Sequence, residues 1–284
     1  MVAWPKFALL ALVASMAVGV ASGEACVAPG VWRDREGQPM PAAEFLDRAA
    51  QSVIVLLGER HGTPEHHRWQ AEVVKALLDR GRAVVIGLEQ LPRDRQAVLD
   101  RWVAGELTPE EFRRASGWDE LWGHDFEAYR PLLDLGRERR VPMVALNVDR
   151  AFVRAVGREG FARAATSGPA PVGRPAPAPP AYRDRLAEVL RAHGREPTAA
   201  ALDRFVEAQT VWDRAFAEGL MAARARFPGS IAVGVLGLGH VEHGWGTEHQ
   251  LRVLGETRVV AALPAPAGEA CRVVGGSGAS FGGG

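Results

Sequence analysis

The sequence has few lysines, few cysteines and no excess of charge. Lys6 and Lys75 are its only lysines, and its 34 basic residues are matched by 34 acidic ones. Because binding to nucleic acid draws on an excess of positive charge, this balance argues against nucleic acid as a partner. A chain of 284 residues that is 47% hydrophobic and 24% charged is not disordered, collagen-like or a coiled coil. The composition therefore predicts a folded protein with a sizeable core.

An apolar run near the start, Phe7–Val20, is shorter than the roughly 20 residues that a membrane-spanning helix needs. It follows Lys6 and precedes a cluster of small residues, which is the pattern of a cleavable signal peptide. We therefore predict a signal peptide over 1–25, a mature chain that starts between Ser22 and Cys26, and an exported protein.

The two cysteines, Cys26 and Cys271, lie near opposite ends of the predicted mature chain. In an oxidising compartment such a pair forms a disulfide that holds both ends of the domain. Alternatively, Cys26 carries a lipid and anchors the protein to a membrane. The preceding residues, Gly23 to Ala25, lack the leucine expected before a lipidated cysteine, so pairing is slightly favoured, and two free thiols are the third alternative. The predicted location is the periplasm or, for a lipoprotein, the membrane surface.

Short apolar runs alternate with longer helical patterns along the rest of the chain. The runs are rich in valine, isoleucine, leucine or alanine without polar alternation, as strands covered on both faces are. This alternation predicts an α/β fold with an open, mainly parallel sheet and crossover helices. The predicted strands are Val53–Leu57, Ala83–Leu88, Pro142–Leu146, Ile231–Leu236 and Arg258–Leu263.

The segments between the predicted strands carry helical periodicity. One helix has a clear start at Thr108, where a capping hydroxyl is followed by a proline and two acids. The predicted helices of this layer are Glu65–Arg80, Pro92–Val103, Pro109–Ala115, Phe126–Arg140, Arg150–Gly160 and Glu248–Leu254.

The region between the third and fourth predicted strands is different. Gly168–Ala181 holds six prolines in fourteen residues, which predicts an extended linker or lid. Helical patterns follow over Ala181–His193 and Thr198–Phe227. In the second of these, residues at helical spacing form one mostly apolar face, as a buried helix face does, interrupted by polar residues. The residues of this face are Leu202, Phe205, Val206, Gln209, Trp212, Asp213, Phe216 and Leu220. The predicted organisation is an α/β domain over 26–165 and 228–271, an inserted lid and helical subdomain over 166–227, and a glycine-rich tail over 272–284.

Polar residues follow several of the predicted strands directly. In an open parallel sheet, ligands bind beyond the carboxyl ends of the strands, because the strand-to-helix loops gather there. Five of the eight histidines fall at this edge. Glu59 and His61 follow the first strand, Glu89 follows the second, and His240 follows the fourth. Further candidates at the same edge are His66, His67, Asn147, Asp149 and His243.

Two carboxylates and two imidazoles in one cleft are able to hold a divalent cation or to activate water by general-base catalysis. A single loop histidine is more often a solvated or capping side chain, but four such groups at one edge favour a functional site. We predict that Glu59, His61, Glu89 and His240 form this site, as catalytic residues or as metal ligands. The sequence contains no His-Glu-x-x-His, which argues against a common zinc protease.

Six segments of the chain resemble the ChaN-like haem-binding family in both order and spacing. Each segment is weak alone, but six in register make the resemblance specific, and together they cover essentially the whole predicted mature chain. The segments are Val55–His61, His66–Gln70, Gly87–Arg93, Leu99–Leu107, Val141–Val148 and Gly237–His240.

The resemblance implies an exported haem-binding protein of iron acquisition, usually a lipoprotein, and an outer-membrane haem receptor is a candidate partner. It further implies that haem b lies between the subunits of a homodimer and that a tyrosine ligates the iron. The same superfamily includes proteins similar to erythromycin esterases and the TIKI metalloproteases, and Glu59, His61, Glu89 and His240 occupy their hydrolytic positions. We favour haem binding without catalysis. The alternatives are a hydrolase that uses the same cleft, with or without a divalent metal, and a scaffold whose old active site is now structural.

The sequence offers only two tyrosines for this role. Tyr129 opens the helix that leads back to the third strand, Tyr182 follows the proline-rich segment, and the sequence does not choose between them. Covalent attachment of the c type is excluded, because no Cys-x-x-Cys-His occurs. Candidate aromatic walls are Trp69, Trp118, Trp122, Trp212 and Trp245. Candidate partners for the haem propionates are Arg60, Arg68 and Arg93, and candidate second ligands are His66, His67, His124 and His243.

Overall fold

The structure is a computed structural model that describes residues 31–166, 170–265 and 280–282. The predicted signal peptide over 1–25, Cys26, Cys271 and most of the predicted tail over 272–284 lie outside these ranges. Export, lipidation and the disulfide therefore stay predictions. Within the described ranges, no helix has both the length and the apolar character needed to cross a membrane.

The centre of the fold is one sheet of eight strands. The strands are β1 (Trp32–Arg33), β2 (Pro39–Met40), β3 (Ile54–Glu59), β4 (Val84–Pro92), β5 (Met143–Asn147), β6 (Ile231–Gly237), β7 (Val259–Ala265) and β8 (Ser280–Gly282). Their order across the sheet is β2-β1-β8-β7-β3-β6-β4-β5. The five strands β7, β3, β6, β4 and β5 run parallel, so their carboxyl ends share one edge.

Helices connect the parallel strands and cover both faces of the sheet. They are α1 (Ala42–Gln51), α2 (Pro64–Asp79), α3 (Gln96–Val103), α4 (Pro109–Ser116), α5 (Trp118–Leu121), α6 (Phe126–Glu138), α7 (Arg150–Glu159), α8 (Phe161–Ala164), α9 (Pro180–Ala192), α10 (Ala199–Arg226) and α11 (Thr247–Val253). Helix α4 begins where the sequence predicted, because Thr108 and Glu111 form a reciprocal capping box.

The predicted α/β fold with an open, mainly parallel sheet is confirmed. Pro92, which the sequence placed at the start of a helix, instead ends β4 and pairs with Asn147 across a shift in register. The pattern missed α1, α5, α8, β1, β2 and β8. Most of these elements have two to four residues, which is too short for a hydrophobic period to show.

Two apolar layers hold the sheet between the helices. Alternate residues of β3 point to opposite sides, so Val55 and Leu57 pack with α2, α3 and α6, while Ile54 and Leu56 pack with α7, α10 and α11. Because both faces are covered, every residue of β3 is buried, which explains its unbroken apolar run.

The inserted helical region is continuous with this layered core. Tyr182, Leu186 and Val206 form a small cluster between α9 and α10. Further along, α10 packs closely on the sheet, since a Cβ on Gly87 would lie 2.9 Å from the side chain of Leu220. The described part of the proline-rich segment, 170–179, has no regular secondary structure, as predicted. Its role as a lid stays a prediction.

Candidate functional site

The first half of the site is the Glu59 cluster: Glu59, His61, His67, Gln70 and Tyr129 at the end of β3. Glu59 is 1% exposed, and its Oε1 accepts hydrogen bonds from the Tyr129 hydroxyl at 3.0 Å and from His61 Nδ1 at 2.9 Å. Its Oε2 accepts one from Gln70 Nε2 at 3.2 Å. Burial raises the pKa of Glu59, but hydrogen bonds from His61 and His67 outweigh it and hold that pKa at about 2. The carboxylate is therefore ionised, and His61 Nδ1 carries the proton of their bond.

The second half is the Asp213 cluster: Asp213 on α10, with Tyr182, His240 and Thr247. The fully buried Asp213 accepts a hydrogen bond from His240 Nδ1 at 2.9 Å through Oδ1, and from the Tyr182 hydroxyl at 3.0 Å through Oδ2. Burial lowers the pKa of His240, but the carboxylates of Asp213 and Glu89 raise it to about 9. His240 is therefore an imidazolium near neutral pH, and it neutralises a buried acid.

Glu89 lies between the two clusters. Its Oε2 accepts a hydrogen bond from the Gly237 amide at 2.5 Å, and its Oε1 lies 3.8 Å from His240 Nε2. Burial raises the pKa of Glu89. Burial lowers the pKa of His61, but the hydrogen bond that it donates to Glu59 and the charge of Glu89 raise it above its ordinary value. The structure thus brings the four predicted residues Glu59, His61, Glu89 and His240 together at one edge of the sheet.

Gly237 allows this close approach. A Cβ at position 237 would lie 2.7 Å from His61 Cε1 and 2.9 Å from His61 Nε2. We expect Gly237→Ala to turn the imidazole of His61 away from Glu59 and to lower the free energy of unfolding by about 1–3 kcal/mol, as overpacking does. Loss of the hydrogen-bonded Nδ1 proton resonance of His61 in NMR spectra would report the displacement.

Gly239→Ala is the matched control, because a Cβ there meets nothing within 4 Å. It should leave the His61 resonance and the unfolding free energy unchanged. Identical spectra for Gly237→Ala and the wild type would show that the imidazole does not depend on this contact.

Both tyrosines of the chain lie in the site, one in each cluster. The Tyr129 hydroxyl donates to Glu59 and accepts from the Gly62 amide at 3.1 Å, and its ring stacks on His67 at 3.8 Å. The Tyr182 hydroxyl donates to Asp213. Burial raises the pKa of both phenols, and the adjacent carboxylates raise it further. Both tyrosines are therefore neutral hydrogen-bond donors here.

Three other residues predicted to bind a cofactor have their polar groups engaged elsewhere. His66 is buried, accepts a hydrogen bond from the Arg60 amide at 3.0 Å, and has its pKa lowered to about 4 by burial. Arg68 pairs with Glu65 at 2.6 Å on the exposed side of α2. Arg93 donates to the main-chain carbonyls of Pro171 and Ala215 at 2.9 and 2.7 Å, and so holds the proline-rich segment against α10.

Partly exposed aromatic rings form the rim of the site. The side chain of His61 is 34% exposed, and its ring lies edge-on to Trp122 at 4.7 Å and 5.4 Å from the ring of His124. On the side of β6, His243 has a φ of +59° and stacks on Trp245 at 4.1 Å. A backbone angle of that sign is strained for histidine, and such strain concentrates at functional sites.

The sequence did not identify Asp213, Gln70 and Gln90 as site residues. Gln90 Nε2 donates to Glu59 Oε1 at 3.3 Å, while Gln70 bonds Oε2 of the same carboxylate. The sequence did contain a signal for Asp213, because it is an acid on a helix face whose other residues are mostly apolar. A buried acid needs a buried partner. The two glutamines carry no comparable signal.

The divalent-metal interpretation gains no support from this geometry. Within the described ranges, no group of three or more histidine, cysteine, aspartate or glutamate side chains is arranged to hold an ion. Both oxygens of Glu59 already accept hydrogen bonds, and Glu89 Oε2 is bonded to the main chain. A metal held by Glu59, His61, Glu89 and His240 therefore stays a prediction.

Several solved structures are similar to this chain. A structure of cofacial haem binding to ChaN of Campylobacter jejuni has a TM-score of 0.70 and 15% identity, and covers 90% of this chain and 98% of that chain. An erythromycin esterase mutant in its open conformation has a TM-score of 0.49 and 14% identity, over 86% of this chain and 81% of that chain. A toxin effector domain, RRSP from Vibrio vulnificus, has a TM-score of 0.42 and 18% identity, over 74% of this chain and 37% of that chain. A search of curated proteins finds no match.

A family model covers most of the chain and defines its class. Its description is haem-binding uptake, Tiki superfamily, ChaN, and it matches residues 45–251. The fold and the match define an α/β protein of a haem-binding class. The chain belongs to the ChaN family of the Tiki superfamily. The resemblance indicated by the six sequence segments is thereby confirmed.

Proposed function

We propose that this protein binds haem at the carboxyl edge of its sheet and serves haem or iron uptake. Family membership supports the ligand. The observation that carries the proposal is that both tyrosines of the chain meet at this edge, each 3.0 Å from a buried carboxylate that also bonds a histidine. These are the oxygen and nitrogen donors that a haem iron takes as axial ligands.

The tyrosine and histidine side chains of the two clusters are of the kinds that ligate haem iron, but a tyrosine must first lose its proton. A phenol becomes an iron ligand only when it gives up its proton, and here Tyr129 and Tyr182 hold theirs in bonds to Glu59 Oε1 and Asp213 Oδ2. When bound, the haem iron supplies the positive centre that stabilises a phenolate. The carboxylate of each cluster orients the hydroxyl and would accept the proton that the phenol releases, at Glu59 Oε1 or Asp213 Oδ2.

The proposal includes export and assembly. The pattern over 1–25 supports export to the periplasm, and Cys26 would anchor the protein if it is lipidated. Haem b held between two copies of the chain, with delivery from or to an outer-membrane haem receptor, completes the proposed role. Titration with hemin while molar mass is measured tests the dimer directly, since haem between subunits doubles the mass at one haem per chain.

Ligation by tyrosine is tested with hemin and phenylalanine variants. We expect the wild-type protein to give a saturable ligand-type absorption band. One of the two variants, Tyr129→Phe or Tyr182→Phe, should abolish the band, because phenylalanine keeps the ring packing but offers no oxygen to the iron. Unfolding curves of the variants show whether the fold is intact. If both single variants and the double variant keep the band, tyrosine is not the ligand; if the wild type gives no band, haem binding itself is wrong.

A second candidate, hydrolysis, is favoured by one observation. Glu89 is a buried carboxyl with a raised pKa, it lies 3.8 Å from His240 Nε2, and its charge also acts on His61. Two imidazoles that are each oriented by a carboxylate, beside a third acid, suit general acid–base chemistry. If the purified protein is colourless and cleaves chromogenic esters, and if Glu89→Gln removes this activity, the function is hydrolysis and not haem binding.

A further inference from the structure

The described part of the proline-rich segment, 170–179, is held by side chains and not by secondary structure. Four side chains from other parts of the fold bond to its main chain, through carbonyl oxygens and through amides. Four of its ten residues are prolines, which have no amide to contribute to a helix or a sheet. The remaining main-chain groups of the segment therefore depend on side chains for their partners.

The first two bonds connect the start of the segment to β4 and α10. Arg93, directly after β4, donates to the Pro171 carbonyl at 2.9 Å. Glu218, on α10, accepts a hydrogen bond from the Gly173 amide at 3.0 Å. Between these bonds, Val172 is buried and packs in the apolar layer formed with α7, α10 and α11. The start of the segment is therefore fixed to a strand and a helix that both carry residues of the site.

The second half of the segment is held by α11, which follows the loop of His240. The buried side chain of Gln250 accepts a hydrogen bond from the Ala176 amide at 2.9 Å and donates to the Ala176 carbonyl at 3.0 Å. Gln250 thus bonds both main-chain groups of one residue, as a residue of a neighbouring strand does. His249 Nε2 donates to the Pro177 carbonyl at 3.0 Å. A residue that precedes proline favours an extended backbone, so Ala176 is suited to this pairing.

Tyr182 lies directly beyond the segment, in the first turn of α9. Pro179, the last residue of the segment, is the N-cap of α9, and its carbonyl accepts a hydrogen bond from the Tyr182 amide at 3.0 Å. Pro180 begins the helix, where the fixed φ of proline suits the first helical position. The Tyr182 hydroxyl donates to Asp213 Oδ2 at 3.0 Å. Displacement of the segment would therefore move the phenol relative to Asp213.

We propose that the segment 170–179 is a fixed brace that positions the Tyr182 hydroxyl against Asp213, and that Gln250 is its principal positioning residue. Gln250 has this role because it is buried and supplies two of the bonds, at the point where the segment approaches α9. A lid would have to break these bonds in order to open, whereas a brace keeps them. Side chains that lock a functional group in this way organise a site before any ligand binds. The inference concerns the protein without ligand and does not depend on haem.

Fluorine NMR of the protein labelled with 3-fluorotyrosine tests the brace. Because the chain has two tyrosines, one in each cluster, each line of the spectrum reports one cluster, and Tyr129→Phe assigns the lines. We expect Gln250→Ala to shift or broaden the Tyr182 line and to leave the Tyr129 line in place. Loss of the two bonds should also speed hydrogen exchange of the Ala176 amide by about tenfold, the value of one to two neutral hydrogen bonds.

Gln96→Ala is the matched control, because Gln96 holds β5 in the same way. It accepts a hydrogen bond from the Ala145 amide at 2.8 Å and donates to the Met143 carbonyl at 2.9 Å. This variant loses two bonds of the same kind but does not touch the proline-rich segment. Both fluorine lines and the exchange of the Ala176 amide should therefore stay as in the wild type.

His249→Ala, which removes one bond at a partly exposed position, replaces Gln250→Ala if that variant does not fold, and it should move the Tyr182 line alone. The brace is wrong if the variant leaves the Tyr182 line or the exchange of the Ala176 amide unchanged. It is also wrong if Gln96→Ala moves the Tyr182 line equally, or if the Ala176 amide of the wild type exchanges as fast as in an unfolded chain. No hemin is present in these measurements, so their outcome is independent of the hemin band that tests the proposed function.

Discussion

Replacing Asp213 with alanine is expected to lower the free energy of unfolding by about 3–5 kcal/mol, the cost of breaking a buried ion pair from one side. Asp213 is fully buried and bonds His240, Tyr182 and Thr247. Without it, a buried imidazolium loses its counter-charge and two hydroxyls lose their acceptor. Urea unfolding of the variant and the wild type at pH 6 measures the difference.

Two further variants show whether this loss arises from the buried pair. Asp213→Asn keeps an acceptor for the hydroxyls but removes the charge, so it should lie between Asp213→Ala and the wild type. Asp203→Asn, on the same helix, breaks only an exposed pair with Arg183 and should change stability by less than about 1 kcal/mol. A loss for Asp213→Ala no larger than that for Asp203→Asn would contradict the arrangement of the Asp213 cluster.

The second large effect is a loss of stability at alkaline pH that depends on His240. Its pKa is about 9 in the folded protein and about 6.5 in an unfolded chain. Because the folded state binds this proton more tightly, the stabilisation is fully present below pH 6.5 and disappears as pH rises through 9. A rise of this size corresponds to stabilisation on the order of 3 kcal/mol, since each pKa unit is worth about 1.4 kcal/mol.

Unfolding curves between pH 5.5 and 9.5 test this effect. His240→Gln should be less stable than the wild type at the acid end, and the difference should shrink as the wild type loses its proton. His193→Gln, at an exposed histidine that follows α9, is the control and should give a profile parallel to the wild type. Parallel profiles for His240→Gln and the wild type would mean that His240 is not held as an imidazolium.

Much of the site was predictable because its residues follow strands directly. Glu59 ends β3 and His61 comes two residues later, while His240 comes three residues after β6 ends. Since neighbouring parallel strands finish at one edge, their loops must converge. The strands themselves were predictable for a related reason: strands buried on both faces need unbroken apolar runs, and β3 and β6 have them.

The partners of these residues were not predictable. Asp213 lies 27 positions before His240, and Tyr129 lies 70 positions after Glu59, so nothing local relates them. The crossing of α10 over the sheet decides the first pairing, and the packing of α6 against α2 decides the second. The same holds for arginine: the sequence suggested Arg60, Arg68 and Arg93 for the propionates, but Arg68 pairs with Glu65 and Arg93 donates to the main chain.

The sequence by itself determined the layered α/β class, the edge at which the chemistry lies and the family, because these follow from apolar runs, periodicity and residues next to one another in the chain. Only the tertiary structure decided which carboxylate each histidine bonds, which tyrosines hold their protons and which of the candidate arginines are engaged away from the site. Those properties depend on distances of a few ångströms between segments far apart in the chain, and on burial, which sets how strongly each charge acts on the next.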